Sequence, residues 1–302
     1  EKELDNNLIN LEINVEEKQT GTVNAGLSIG TLDGFAIIAG LNERNFYGTG
    51  RSLKAIINTS EDKTQFTFET TDRILYEDNV DVSFKADLKE EDFSKAKSYK
   101  LDTFTVGFGF GYDLNNQTRH NIDLEYLIKD YSVTNSSKVA SSIGNSSGEN
   151  VSFLLRNNIY FSTLNSNFMP KNGRLVSFNN FIETPSSSNN GYIKNFITLK
   201  NYKQINKNIF SIQSRIGNIY SLSNNDILTD DKFALGGRWL RGFDSFGAGP
   251  RNSRNSYVGG NNLVVAKLDY SREVFNNADF PIFINFFNDY GLVWKNKTKP
   301  TH

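Results

Sequence analysis

From Thr103 to Tyr112 the chain alternates without a break. Phe104, Val106, Phe108, Phe110 and Tyr112 share one parity; Thr103, Thr105, Gly107, Gly109 and Gly111 share the other. A side-chain period of two is that of a β-strand, here with one apolar face and one small or polar face. The pattern recurs. Val82, Phe84, Ala86 and Leu88 alternate with Asp81, Ser83, Lys85 and Asp87. Ile122, Leu124, Tyr126 and Ile128 alternate with Asn121, Asp123, Glu125 and Leu127. Val264, Ala266, Leu268 and Tyr270 alternate with Val265, Lys267, Asp269 and Ser271. About thirteen such segments of roughly 9–13 residues are expected, at approximately 22–30, 34–42, 50–59, 63–72, 79–90, 100–113, 117–131, 149–163, 172–183, 191–204, 206–220, 260–272 and 281–294.

Segments of that length cross a bilayer as tilted strands, whereas strands of water-soluble proteins average about 5–6 residues. A sandwich or lipocalin-like barrel would also alternate, with its apolar face inward. The connections separate the two readings. Leu114 to Gln117 and Lys203 to Asn208 are short and turn-like. Thr134 to Asn150, Pro185 to Gly191 and Ser221 to Gly260 are long and polar. Short turns at one end and long loops at the other are the asymmetry of an outer-membrane barrel. No apolar run approaches the ~18 residues of a membrane-spanning helix, and the mean hydropathy is −0.48. That value does not argue against a barrel, whose strands are apolar only at alternate positions.

Composition narrows the function classes. Lys+Arg number 33 against Asp+Glu 34, a net charge of −1, which gives no electrostatic reason to expect nucleic acid. Cys is 0 and His is 2, so disulfides and thiolate metal sites are excluded and histidine catalysis is improbable. A cysteine-free chain suits an oxidising compartment such as a periplasm. The chain starts at Glu1 with no apolar leader. With residues 1–20 in the periplasm, the thirteenth segment would run outward and end near Trp294, an interfacial aromatic. Lys295 to His302 would then be extracellular. Bacterial barrels close with an even number of strands, so an odd count implies that the closing strands are missing.

The most informative loop runs from Leu235 to Pro250. It holds Gly236, Gly237, Gly242, Gly247 and Gly249, yet also Trp239, Leu240, Phe243 and Phe246. A loop both permissive and apolar must pack into something, and Arg241 in its middle needs a partner. Parity sets Asp269 opposite Val264, Ala266, Leu268 and Tyr270, and Asp289 with Phe283, Asn285 and Phe287. Both carboxylates are expected to face the lumen, because an acid on the lipid side is costly.

The stretch Gly236-Gly237-Arg238-Trp239-Leu240-Arg241-Gly242-Phe243, followed by Gly249-Pro250-Arg251, resembles the sixth extracellular loop of the BamA family of outer-membrane barrel assembly factors. TamA, two-partner secretion pores and the mitochondrial sorting barrel are its relatives. Four further stretches match in order: Ile13 to Gly21 (the end of the last POTRA domain), Asn42 to Gly50 (the turn after the second strand), Val258 to Asn261 (the start of strand twelve) and Phe286 to Trp294 (strand thirteen). Family members often carry Glu where Asp269 stands.

The resemblance implies an all-β fold: a transmembrane antiparallel β-barrel of the sixteen-stranded type with about thirteen strands present. Residues 1–20 would end a POTRA domain, and residues 21–302 would form the barrel without its closing strands, with loop 221–259 folded into the lumen. It implies that Arg241, within Leu240-Arg241-Gly242-Phe243, docks on Asp269 and Asp289. It also implies a lateral seam along the first strand (Val23, Ala25, Leu27, Ile29), weakened by Gly26 and Gly30. Unfolded outer-membrane proteins would be clients, accessory outer-membrane lipoproteins partners, and lipid the surroundings, in a non-enzymatic process in the bacterial outer membrane without nucleotide, cofactor or metal. The alternative on the same scaffold is a two-partner secretion pore or a TamA-like factor. A passive porin would leave the loop motif unexplained.

Two other patterns weigh little. Gly107-Phe108-Gly109-Phe110-Gly111 lies inside a strand and opens no helix, so its glycines read as small lumenal positions. Asp226, Asp230 and Asp231 are expected as solvated loop acids rather than cation ligands.

Overall fold

The computed structural model describes residues 2–4, 8–10, 14, 16, 18–30, 34–73, 80–185, 191–223, 226–275 and 281–296. Two short strands, β1 (Lys2–Leu4) and β2 (Leu8–Asn10), pair antiparallel. Thirteen strands then form one antiparallel sheet: β3 (Gly21–Gly30), β4 (Gly34–Glu43), β5 (Ser52–Ser60), β6 (Lys63–Asp72), β7 (Val80–Asp92), β8 (Tyr99–Asn115), β9 (Thr118–Val133), β10 (Gly148–Ser162), β11 (Gly173–Glu183), β12 (Tyr192–Ile205), β13 (Asn208–Ser221), β14 (Asn262–Phe275) and β15 (Ile282–Trp294). Each strand lies beside its sequence neighbours, as a meander. Among the described residues, β3 and β15 have one neighbour each. The Ile13 to Gly21 junction and the Lys295 to His302 tail fall partly outside the described residues.

Every expected segment is a strand, and β10 has its expected 15 residues, while β8 and β9 run to 17 and 16, past the expected 100–113 and 117–131. Their extra length has a physical cause at the loop-bearing end. There Tyr99, Leu101 and Tyr131 are buried on the inner face with Leu228 and Ile143. Those inner positions gain apolar contacts from loops and so remain ordered strand.

The outer face carries exposed Phe104, Phe108, Phe110 and Leu124. The inner face of β8 is built small. A Cβ on Gly107 would lie 2.9 Å from the Glu125 side chain, and one on Gly109 would meet Asp123 and Ser83. The missing side chains leave room for β9 carboxylates to lie across β8.

One polar row interrupts the outer face. Asn157, Asn180, Asn195, Asn218 and Asn262 stand directly opposite one another across β10 to β14, and Asn262 faces Trp294. Asn157 donates to Asn180 at 3.3 Å, Asn180 to Asn195 at 2.7 Å and Asn195 to Asn218 at 3.4 Å. Exposed Ile159, Phe178, Ile197 and Ile216 share their face. In lipid an amide finds no water, so these amides satisfy one another.

The long connections cluster at one end of the sheet. A short helix α1 (Ser94–Lys97) follows β7, α2 (Ser141–Gly144) lies between β9 and β10, and residues 222–261 join β13 to β14. The 134–150 connection is not simply a polar loop, because Ile143 is fully buried. Residues 222–261 touch both α1 and β15, since the Tyr257 N–H donates to the Ala96 carbonyl at 3.1 Å and that of Asn261 to the Trp294 carbonyl at 2.8 Å. A sheet reached at β7–β9 and at β14–β15 by one loop must curl around it.

Candidate functional site

The loop after β13 enters the curled sheet through apolar contacts. Ile227, Phe233, Leu235 and Leu240 join Tyr192, Ile219, Leu263 and Val265 from the inner face in one cluster. Gly217 leaves space on β13 for the Phe233 ring. The tip is closed by backbone hydrogen bonds: Gly237 N–H to the Phe243 carbonyl at 2.9 Å and Phe243 N–H to the Leu240 carbonyl at 3.3 Å. Gly236 sits at φ 135° against the Asp244 carbonyl, and Gly242 at φ 90°. An L side chain is strained at both angles.

The tip presents Arg241 to two strands. Its Nη1 lies 2.6 Å from Asp269 Oδ1 on β14. Its Nε donates to Asp289 Oδ2 on β15 at 2.7 Å, its own backbone N–H donates to the same oxygen at 2.9 Å, and its Nη2 reaches Asp289 Oδ1. The guanidinium also lies 3.9 Å from the centroid of the Phe287 ring. A planar fork serving two carboxylates while stacked on a ring is what Arg supplies and Lys does not. Hydrogen bonds to Asp289, then Asp269, hold Arg241 more firmly protonated than a free guanidinium. Only 3% of the Asp289 side chain is exposed, so its charge depends on this partner.

Of the motif residues, Leu240 is buried, Arg241 is paired, and Gly242 supplies the bend. Phe243 departs from the expectation that the loop aromatics pack, being 51% exposed. The reversal at Gly242 turns its ring off the wall. Trp239 and Phe246 do pack: Arg215 lies 3.8 Å over the Trp239 ring, and Phe246 meets Phe93 and Tyr257 edge-on or tilted. Val23, Ala25, Leu27 and Ile29 lie exposed on β3, at the opposite end of the sheet order from β15. They take no part in the Arg241 contact, which β14 and β15 make.

Sequence reading missed several neighbours. Lys267 donates to the Arg238 carbonyl at 2.6 Å and Ser211 to Asp269 at 3.4 Å. Asp230 and Asp231 are a correction. Expected in solvent, Asp231 is 7% exposed and sits 2.8 Å from Lys129 on β9, while Asp230 accepts from Tyr131 at 2.9 Å. Asp226 remains mostly exposed and pairs with Lys232 at 2.7 Å. A signal for the buried pair stood in β9. Leu127, Lys129 and Tyr131 continue the inner parity of Asp123 and Glu125, and large residues on a wall of small polar ones mark a filled lumen. Among the described residues no group of three or more potential ligands forms a metal site.

Known proteins share this architecture. The Omp85 superfamily domain matches residues 45–302. The chain is 25% identical over 279 residues to the outer membrane protein assembly factor BamA of Nitratidesulfovibrio vulgaris, covering 87% of this chain and 33% of that protein. It is 21% identical over 305 residues to the BamA of Neorickettsia risticii, covering 97% and 40% respectively. The chain thus spans between a third and two fifths of these relatives' length. The solved structure of BamA from Haemophilus ducreyi lacking POTRA domains 1–3 superposes with a TM-score of 0.81 at 21% identity, covering 93% of this chain and 59% of that one. CdiB from Acinetobacter baumannii superposes with a TM-score of 0.58 at 13% identity, covering 94% and 51%. The antiparallel wall, the inward loop and the matched domain lead to one conclusion: the chain belongs to the Omp85 superfamily, as a β-barrel portion of the bacterial outer membrane similar to that of the BamA assembly factors.

Proposed function

We propose that this barrel works in outer-membrane protein assembly, by offering a strand edge to unfolded clients without nucleotide or catalysis. The observation that carries the reading is the Leu240-Arg241-Gly242-Phe243 tip held between Asp269 and Asp289, together with sequence similarity to proteins named as BamA. An unpaired strand edge is intolerable in lipid. A barrel edge that pairs with a client strand removes that cost by β-augmentation. The edge we assign is β3, with Val23, Ala25, Leu27 and Ile29 outward and Gly21, Gly26 and Gly30 loosening it. In the same reading residues 1–20 end a POTRA domain, residues 21–302 are barrel, and loop 221–259 is lumenal. Accessory outer-membrane lipoproteins are partners, and Arg241, Asp269 and Asp289 hold the loop for function.

A second reading is a two-partner secretion translocator, favoured by the fold likeness to CdiB. Conditional depletion of the full-length protein separates the two. Loss of many other barrels from the outer membrane, measured by quantitative proteomics, supports assembly. Intact barrels with loss of one secreted protein would establish translocation instead.

A further inference from the structure

We propose that the lumenal loop is held at two independent points, and that Lys129 is the positioning residue for the second. The first is the Arg241 contact with β14 and β15. The second lies on a different part of the wall and involves none of the motif residues. The inference concerns where the loop sits and stands whichever client the barrel serves.

Lys129 projects from β9 into the lumen with 7% of its side chain exposed. Its Nζ lies 2.8 Å from Asp231 Oδ1, 3.7 Å from Asp230 Oδ2 and 3.3 Å from Glu183 Oε2 on β11. Ser152 on β10 donates to Glu183 Oε1 at 2.8 Å. Tyr131 on β9 donates to Asp230, and Lys194 on β12 donates to the Asp231 carbonyl at 2.6 Å. Two strands, β9 and β12, therefore hold two consecutive loop residues, and β10 and β11 back Lys129 through Ser152 and Glu183. The limb they hold is buried: Ile227, Leu228 and Thr229 are each 2% exposed or less.

Charge makes Lys129 the residue on which this contact turns. One ammonium serves three carboxylates in a poorly solvated place, so its loss strands buried acids. Lys129 is also shared between wall and loop. If the limb leaves, Lys129 keeps Glu183 as its partner on the wall. Release of the limb is thus a discrete exchange of partners, separable from release of the Arg241 tip.

The chain has no Cys, so single cysteines report cleanly. Thr229→Cys reads the limb and Leu240→Cys reads the tip, each by its maleimide-labelling rate in the folded full-length protein. Lys129→Met should raise labelling at 229 about tenfold or more, and leave 240 within about twofold. Arg241→Ala should do the reverse. Adding Asp231→Asn to Lys129→Met removes one of the stranded charges, and should bring labelling at 229 back toward the wild-type rate. A structural filler at position 129 would show no such rescue. If Lys129→Met prevents folding, Asp231→Asn alone is read at the same two cysteines. Unchanged protection at 229, or exposure of both sites by either single substitution, overturns the two-point arrangement.

Discussion

Arg241 illustrates how one residue can require its own chemistry. Its fork spans two carboxylates on adjacent strands and its face lies on Phe287. Lysine keeps the charge but loses the fork and the stacking. Arg241→Ala should therefore weaken tip docking by about 2–4 kcal/mol, the range for a partly screened ion left unpaired, and Arg241→Lys should recover only part of that loss, since the fork and the stacking are gone. Limited proteolysis of the loop checks this, and full protection in Arg241→Lys would refute the geometric requirement. Lys97 presents the opposite case, a buried cation whose nearest neighbours are rings. Its Nζ lies 4.1 Å from the Phe93 centroid and 4.2 Å from that of Phe246. Burial pushes its pKa down from 10.5 to about 8, against the pull of Asp230, Glu91 and Asp231. The folded state thus releases this proton at lower pH than the unfolded chain. Between pH 8 and 10.5 the unfolded chain binds more protons, so stability rises with pH across that window and the cost is full below it. Urea unfolding of wild type and Lys97→Met at pH 7.5 and 10.5 should show wild type gaining up to about 3 kcal/mol relative to the variant. A pH-independent difference would place the Lys97 proton elsewhere.

At the scale of elements, legibility followed periodicity. All thirteen strands were readable because each places apolar side chains at alternate positions against lipid, a pattern that needs no tertiary information. The added end residues of β8 and β9 were not, because Tyr99 and Tyr131 owe their burial to Leu228 and Ile143 from distant loops. The Arg241 contact was accessible from parity plus a resemblance. Asp230 and Asp231 were misplaced because burial of a loop acid depends on a cation 102 positions away on β9. The asparagine row also lay hidden, since register sets it and parity alone does not. It supports a non-additive prediction. Asn195→Val strands an acceptor on Asn218 and a donor on Asn180, costing about 1–3 kcal/mol in lipid. Replacing Asn157, Asn180, Asn195 and Asn218 together by Val should cost less than the single change, since no amide is left half-paired. Denaturant unfolding in lipid vesicles measures both, and a quadruple variant weaker than the single one would show that the ladder stabilises outright.

For the whole molecule, the loop divides the wall by how firmly it is tied. Residues 222–261 contact α1, β9, β12, β13, β14 and β15. The strands β3 to β6 are only 9–10 residues long, near the minimum for crossing about 25 Å of hydrocarbon at a barrel tilt. Their inner faces contribute to neither of the two buried clusters, which draw on β8, β9 and β11 to β15. Flexibility should therefore be graded along the sheet: greatest in β3 and β4, least in β8 to β13. Such a gradient suits the seam proposed along β3. Amide hydrogen exchange of the folded protein in nanodiscs measures it directly. Slowed amides of β4 should exchange about a hundredfold faster than those of β9, a local opening free energy lower by about 3 kcal/mol. Arg241→Ala should then speed exchange in β14 and β15 and leave β4 unchanged, because only the former strands receive the tip. Equal protection in β4 and β9 would mean that the wall is held by its own ladder alone, and that the loop contributes nothing to where it yields.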